Sequence, residues 1–170
     1  TQKDQTSNGL SSVSLNKTNI NLNVEETLIK TRYILEPVII ETQLNISIIP
    51  RYFPIFGAFK ARHYTGHTPS QPWLGLTSYA WGGEKVIIKQ FSVPDNYIGK
   101  PLRLITGQHG TYKLYIDDHM LFTNGKIGTV MSLPEQNDFK LEISTLEAYP
   151  GTEFFLIYRT PISLVSNLAS

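Results

Sequence analysis

Two groups of side chains have the types and spacing that chemistry would need. His63 and His67 stand four residues apart. On a helix that spacing puts both imidazoles on one face, where they could hold a metal ion. Gly66 and Pro69 work against a helix there and no carboxylate is adjacent, so solvated loop histidines are expected instead. Asp117, Asp118 and His119 are consecutive and could form a metal or acid–base cluster. They fall between two runs with strand patterning, where Asp is a favoured turn residue, so a turn is expected.

Other catalytic signatures are missing from the chain. Ser, His and Asp occur without a nucleophile-elbow motif. "WGGEK" and "TGQHG" are too short for phosphate loops and neither leads into a helix. Paired carboxylates of the glycosidase kind are also missing, which disfavours a hydrolase. With no cysteine, disulfides, thiol nucleophiles and cysteine-based zinc sites are excluded. The sequence therefore assigns no catalytic, cofactor-binding or metal-ligating residue, and no cofactor. One further set invites a binding role. Trp73, Tyr79, Trp81, Tyr97 and Tyr115 could stack on sugar rings if exposed in a row, but aromatics more often supply buried area, and core packing is the expectation.

The chain has 170 residues, 41% hydrophobic and 17% charged, with a net charge of +1. That length supports one core and an appendage, and the composition is that of a globular protein. The near-neutral charge argues against nucleic acid as a partner. No run of Lys and Arg occurs, which argues against an electrostatic membrane patch. The apolar stretches Tyr33–Leu35, Val38–Ile40 and Phe154–Tyr158 fall far short of the roughly 20 residues of a membrane span. The ends, Thr1 without Met and Ser170 inside a helix-like pattern, read as those of an excised fragment.

Four segments are expected to position these residues. Residues 1–23 form a mobile arm or loop, rich in Ser, Thr, Asn and Gln. Residues 24–83 hold helices and connecting loops. Asn23 is a good N-cap with Glu26 at the capping-box position, and Val24, Leu28, Thr31 and Leu35 form one apolar stripe. Pro37 disfavours helical geometry at Glu36. The spacing therefore predicts two helices, one over about 24–34 and one from Pro37 to near Gln43, with a single kinked helix as the alternative. "RYFPIFGAFKARH" could hold a short helix after Pro54, and Trp73, Tyr79 and Trp81 should pin the following loop to a core.

Residues 84–160 alternate with period two and carry turn chemistry between runs. His109-Gly110, "DDHM" and "TNGK" are predicted turns. About seven antiparallel strands form a sandwich. Residues 161–170 begin a truncated helix, with Thr160-Pro161 at its start. The fold class is α+β, short helices plus a jelly-roll-like antiparallel β-sandwich.

Three stretches resemble one family. "VEETLIKTRYILEPVIIETQLNISIIPRYFPIFG" is similar to a segment of the bacterial polysaccharide co-polymerases, the chain-length-determinant (Wzz-like) proteins, in the Wzc-type branch fused to a tyrosine autokinase. The matching residues are Leu28, Ile29, Thr31, Arg32, Leu35, Pro37, Val38, Ile39, Pro54 and Gly57, with Thr31 where Ser is more usual. "FSVPDNYIGKPLRLITGQHGTYKLY" with "FTNGKIGTV" resembles the same branch, as does "LEAYPGTEFFLIYRTPISLVSNL". The matches come in the family's order and cover most of residues 24–170.

The resemblance implies a periplasmic region of a bacterial inner-membrane protein, with an α/β base, here incomplete, and an added β-sandwich. It implies a homo-oligomeric ring, with the polysaccharide polymerase and export machinery as partners, and a role in chain length and export of capsule or exopolysaccharide. Kinase motifs and a tyrosine-rich tail are not in this sequence, so the resemblance implies a soluble fragment without enzymatic activity. The alternative is a carbohydrate-binding β-sandwich module of a secreted protein. A row of exposed aromatics would favour the module, and buried aromatics the assembly domain.

Overall fold

The structure is a computed structural model that describes residues 26–27, 29–31, 33–39, 43–134 and 136–160. The arm or loop expected over residues 1–23 and the truncated helix expected over 161–170 lie outside the described residues. The chain divides into two compact units, one drawn from residues 1–43 and 161–170 and one comprising residues 44–160.

In the first unit the described residues between 26 and 39, all but 28 and 32, are helical and are labelled α1. Residues 33–39 are helical without interruption, so the break expected between Ile34 and Pro37 is not there and the helix runs through Pro37. Proline removes its own donor to the carbonyl four residues back, and its ring crowds that carbonyl. That carbonyl belongs to Tyr33, which is exposed, so water can take the place of the lost bond. Gln43 has φ 56, a left-handed conformation that does not continue a helix.

The second unit is a sandwich of eight strands. They are β1 (Ile46–Pro50), β2 (Lys85–Ser92), β3 (Pro101–Thr106), β4 (Thr111–Ile116), β5 (His119–Lys126), β6 (Met131–Leu133), β7 (Gln136–Glu147) and β8 (Glu153–Tyr158). One sheet has the order β1-β8-β3-β4-β5 and the other β2-β7-β6. All of these strand pairs are antiparallel. The first strand pairs with the last and the second with the seventh, a nested closure like that of a jelly roll. The departure is that β3, β4 and β5 remain one meander in a single sheet.

Period-two alternation fills the space between the sheets. Leu102, Leu104, Tyr112, Leu114, Phe154 and Leu156 point inward from the larger sheet, and Phe139, Leu141 and Ile143 from the smaller. Two bulges let residues three apart share the inner face. Ile88 and Phe91 of β2 are both buried because the register shifts between Ile88 and Gln90. Phe122 and Gly125 of β5 face Leu114 and Tyr112, which are only two apart on β4.

Two boundaries differ from the sequence reading. The sandwich begins at Ile46 rather than Glu84, because β1 forms five residue pairs with β8. "TNGK" is not a turn, since Thr123 to Lys126 lie within β5. Asn-Gly there marks a bulge, and the chain reverses after Lys126, where Gly128 has φ 72. His109-Gly110 does form a turn. Thr111 N–H donates to the Gln108 carbonyl at 3.1 Å, and His109 and Gly110 have φ 53 and 72, which is the hairpin-favouring type I′ arrangement.

Candidate functional site

The histidines and aspartates do not converge. His63 closes the short helix α2 (Gly57–Arg62), its Nδ1 2.8 Å from the Phe59 carbonyl, while His67 is exposed in the loop beyond. Asp117 and Asp118 are the two-residue connection between β4 and β5, with Ile116 and His119 as the closing pair. Asp117 takes φ 50, a conformation Asp tolerates better than most residues. No group of three or more His, Asp or Glu that could hold a metal is present among the described residues.

The aromatics converge, though not all five. Tyr97 packs beside the core ring of Phe139, and Tyr115 lies under the Arg103 guanidinium, 5.1 Å from its centroid. Trp73, Tyr79 and Trp81 instead join Phe53 and Phe56 in one cluster. Phe53 lies 5.8 Å from Trp81 in a stacked pair, 5.0 Å from Phe56 and 5.3 Å from Tyr79. Phe56 meets Trp73 edge-on at 5.2 Å, and Trp73 meets Trp81 at 6.2 Å. These separations suit edge-to-face and offset packing. The ring faces are spent largely on one another, and Trp81 is fully buried, so among the described residues this cluster forms no exposed row of sugar-stacking rings.

Backbone contacts tie this cluster to the sandwich. Tyr52 and Ala80 form a parallel bridge, and Ala80 N–H donates to the Arg51 carbonyl at 2.8 Å. The Arg51 guanidinium reaches the Glu153 carboxylate at 2.8 Å and also covers Tyr79. Trp81 Nε1–H donates to the Leu76 carbonyl. The Glu84 carboxylate accepts the backbone N–H groups of Trp81 and Gly82 at 2.6 and 2.9 Å. Burial, and secondarily the negative charge of Glu84, raises the pKa of the Tyr52 hydroxyl above its ordinary value. Lys60 of α2 sits 5.1 Å over Trp81.

This assembly holds no nucleophile beside a base and no ligand set. It can offer a surface. Around it Ile55, Phe59, Trp73 and Leu74 are exposed. The sequence reading anticipated that aromatics would pin this loop. It missed Phe53, Phe56 and the exposed aliphatic residues beside them. A usable signal was present, because no Asp or Glu occurs from residue 51 to 83. No helix among the described residues is long and apolar enough to cross a membrane.

Comparison with known proteins gives the context of this domain. The family model for the N-terminal domain of the tyrosine-protein kinase Wzc matches residues 46–159, which run from the first residue of β1 to just past the end of β8. The chain is 30% identical over 142 residues to EpsB of Ralstonia solanacearum, covering 82% of this chain and 18% of that protein. It is 29% identical over 144 residues to the tyrosine-protein kinase etk of Escherichia coli K12, covering 85% of this chain and 17% of that one. The chain thus spans less than a fifth of the length of these relatives. With the model matched across the whole sandwich and the earlier resemblance pointing the same way, this chain belongs to the family of the Wzc tyrosine-kinase N-terminal domain.

Proposed function

We propose that this chain is a periplasmic assembly domain of an inner-membrane polysaccharide co-polymerase fused to a tyrosine autokinase, and that it helps set the chain length and export of a capsule or exopolysaccharide. The observation that carries this reading is the coincidence of the family match, residues 46–159, with the eight-stranded unit. The domain itself acts without catalysis. Its partners are further copies of the same protein, arranged in a ring, and the machinery that polymerises and exports the sugar. The parent's kinase chemistry lies in a separate cytoplasmic part.

In the full-length protein, in-frame removal of residues 46–159 should shift the polymer length distribution seen by gel electrophoresis, with membrane insertion and autophosphorylation retained. An unchanged distribution and yield would overturn the reading.

A further inference from the structure

Two tight turns in the second unit place large aliphatic residues where the backbone favours glycine or asparagine. Phe56 N–H donates to the Pro54 carbonyl at 3.1 Å across Ile55, whose φ is 81. That is the rare, strained form of the γ-turn, here with a β-branched residue at its centre. Leu76 N–H donates to the Trp73 carbonyl at 3.0 Å. The two residues between, Leu74 and Gly75, have φ 52 and 72, a type I′ turn whose first central position suits Asn or Gly. Neither side chain is repaid by burial. Ile55 is 98% exposed and Leu74 is 76% exposed.

The Phe56–Trp73 contact holds these two turns side by side. Trp73 itself remains 46% exposed, and Phe59 of α2 is exposed as well. The same stretch carries Arg51, Lys60, Arg62, His63 and His67 without one carboxylate from residue 51 to 83. Arg51 is taken up by Glu153 and the Glu84 carboxylate by the Trp81 and Gly82 N–H groups, while Lys60 of α2 lies over Trp81 and Arg62 is exposed. The sequence shows no run of Lys and Arg. The fold instead gathers a few cations beside exposed aliphatic tips.

From these features we propose that the turns at Ile55 and Leu74, with Trp73, Phe59, Lys60 and Arg62, dock on an anionic lipid surface. Aliphatic tips gain by entering the acyl boundary, Trp settles at headgroup level, and Lys and Arg meet lipid phosphates. An acidic polysaccharide fits less well. It would use the cations and the exposed parts of Trp73 and Phe59, while isoleucine and leucine at strained positions would contribute nothing to it.

The test is co-sedimentation of the 170-residue chain with vesicles of phosphatidylglycerol and phosphatidylethanolamine, against vesicles of phosphatidylcholine, with tryptophan emission followed alongside. The chain should partition to the anionic vesicles about tenfold more strongly, with a blue shift from Trp73. The double variant Ile55→Gly, Leu74→Asn should lose about tenfold in partitioning, while its melting temperature stays level or rises because backbone strain is relieved. Lys60→Gln with Arg62→Gln should abolish the preference for anionic lipid. Failure of the chain to sediment with either vesicle, equal binding by the double variant, or retention only on an acidic polysaccharide would each overturn the proposal. None of these outcomes bears on polymer length, so this inference and the proposed function fail separately.

Discussion

Gly125 of β5 faces Tyr112 of β4 as its register partner, and a Cβ built on Gly125 would overlap the Tyr112 ring. The glycine serves the close approach of a core aromatic to the neighbouring strand. Gly125→Ala should therefore destabilise the domain by about 1–3 kcal/mol, the usual cost of overpacking. Chemical denaturation gives the value. In a Tyr112→Leu background the same change should cost much less, because the obstructing ring is gone. Equal costs in the two backgrounds would contradict the steric explanation.

The Tyr112 hydroxyl is buried and lacks a hydrogen-bond partner among the described residues. A buried polar group without a partner is unfavourable, so Tyr112→Phe should stabilise the fold by about 1 kcal/mol. Burial also pushes this hydroxyl up to about 12, against about 10 in an unfolded chain. Between those values the unfolded state releases a proton that the folded state keeps. Stability should accordingly fall as pH rises from about 10 to about 12, and not below that window. Tyr52 shifts in the same direction, so Tyr112→Phe should shrink the alkaline slope without abolishing it. Urea titrations on both sides of pH 10 would decide, and an unchanged slope would count against the assignment.

What the sequence made legible follows the same division between pattern and contact. Alternation at Tyr112, Leu114 and Ile116, and at Phe139, Leu141 and Ile143, is a local signal that a buried face must produce, and all six are buried. Asn124-Gly125 carries the same letters as a hairpin turn. Only the ring across the strand distinguishes a bulge from a turn, and that contact is not local. β1 is hard to read from the sequence because "ISIIP" lacks clean alternation and ends in proline. Its partner β8 lies over a hundred residues away in sequence, and Pro50 is acceptable because β1 is an edge strand. The aromatic loop could be read as pinned, but not as a surface, because the exposure of Ile55 and Leu74 depends on backbone angles that residue type argues against.

His109 is the non-glycine residue at the first central position of the β3–β4 turn, with φ 53. Asparagine adopts that conformation more readily than histidine. His109→Asn should raise stability by about 0.5 kcal/mol without altering the strands, a gain of the size seen when turn residues are matched to their backbone. Thermal unfolding would show a small upward shift. A loss of stability would mean that the His109 ring makes a contribution its exposed position does not suggest.

The purified chain should be monomeric or weakly associated, even though a ring is proposed for the full-length protein. Among the described residues, each sheet edge is guarded against pairing with another copy. β1 ends in Pro50, β2 and β5 are bulged, and β6 has only three residues. The net charge of +1 gives no strong attraction between copies. Subunits meeting freely in solution also bear the full cost of association, roughly 4–15 kcal/mol. Attachment to a membrane would remove part of that cost by raising the local concentration. Light scattering at micromolar concentration is the measurement, with the Ile55→Gly, Leu74→Asn variant as a control for contacts made by the exposed tips. A closed oligomer that survives in that variant would show that the remaining surface of this chain suffices for assembly.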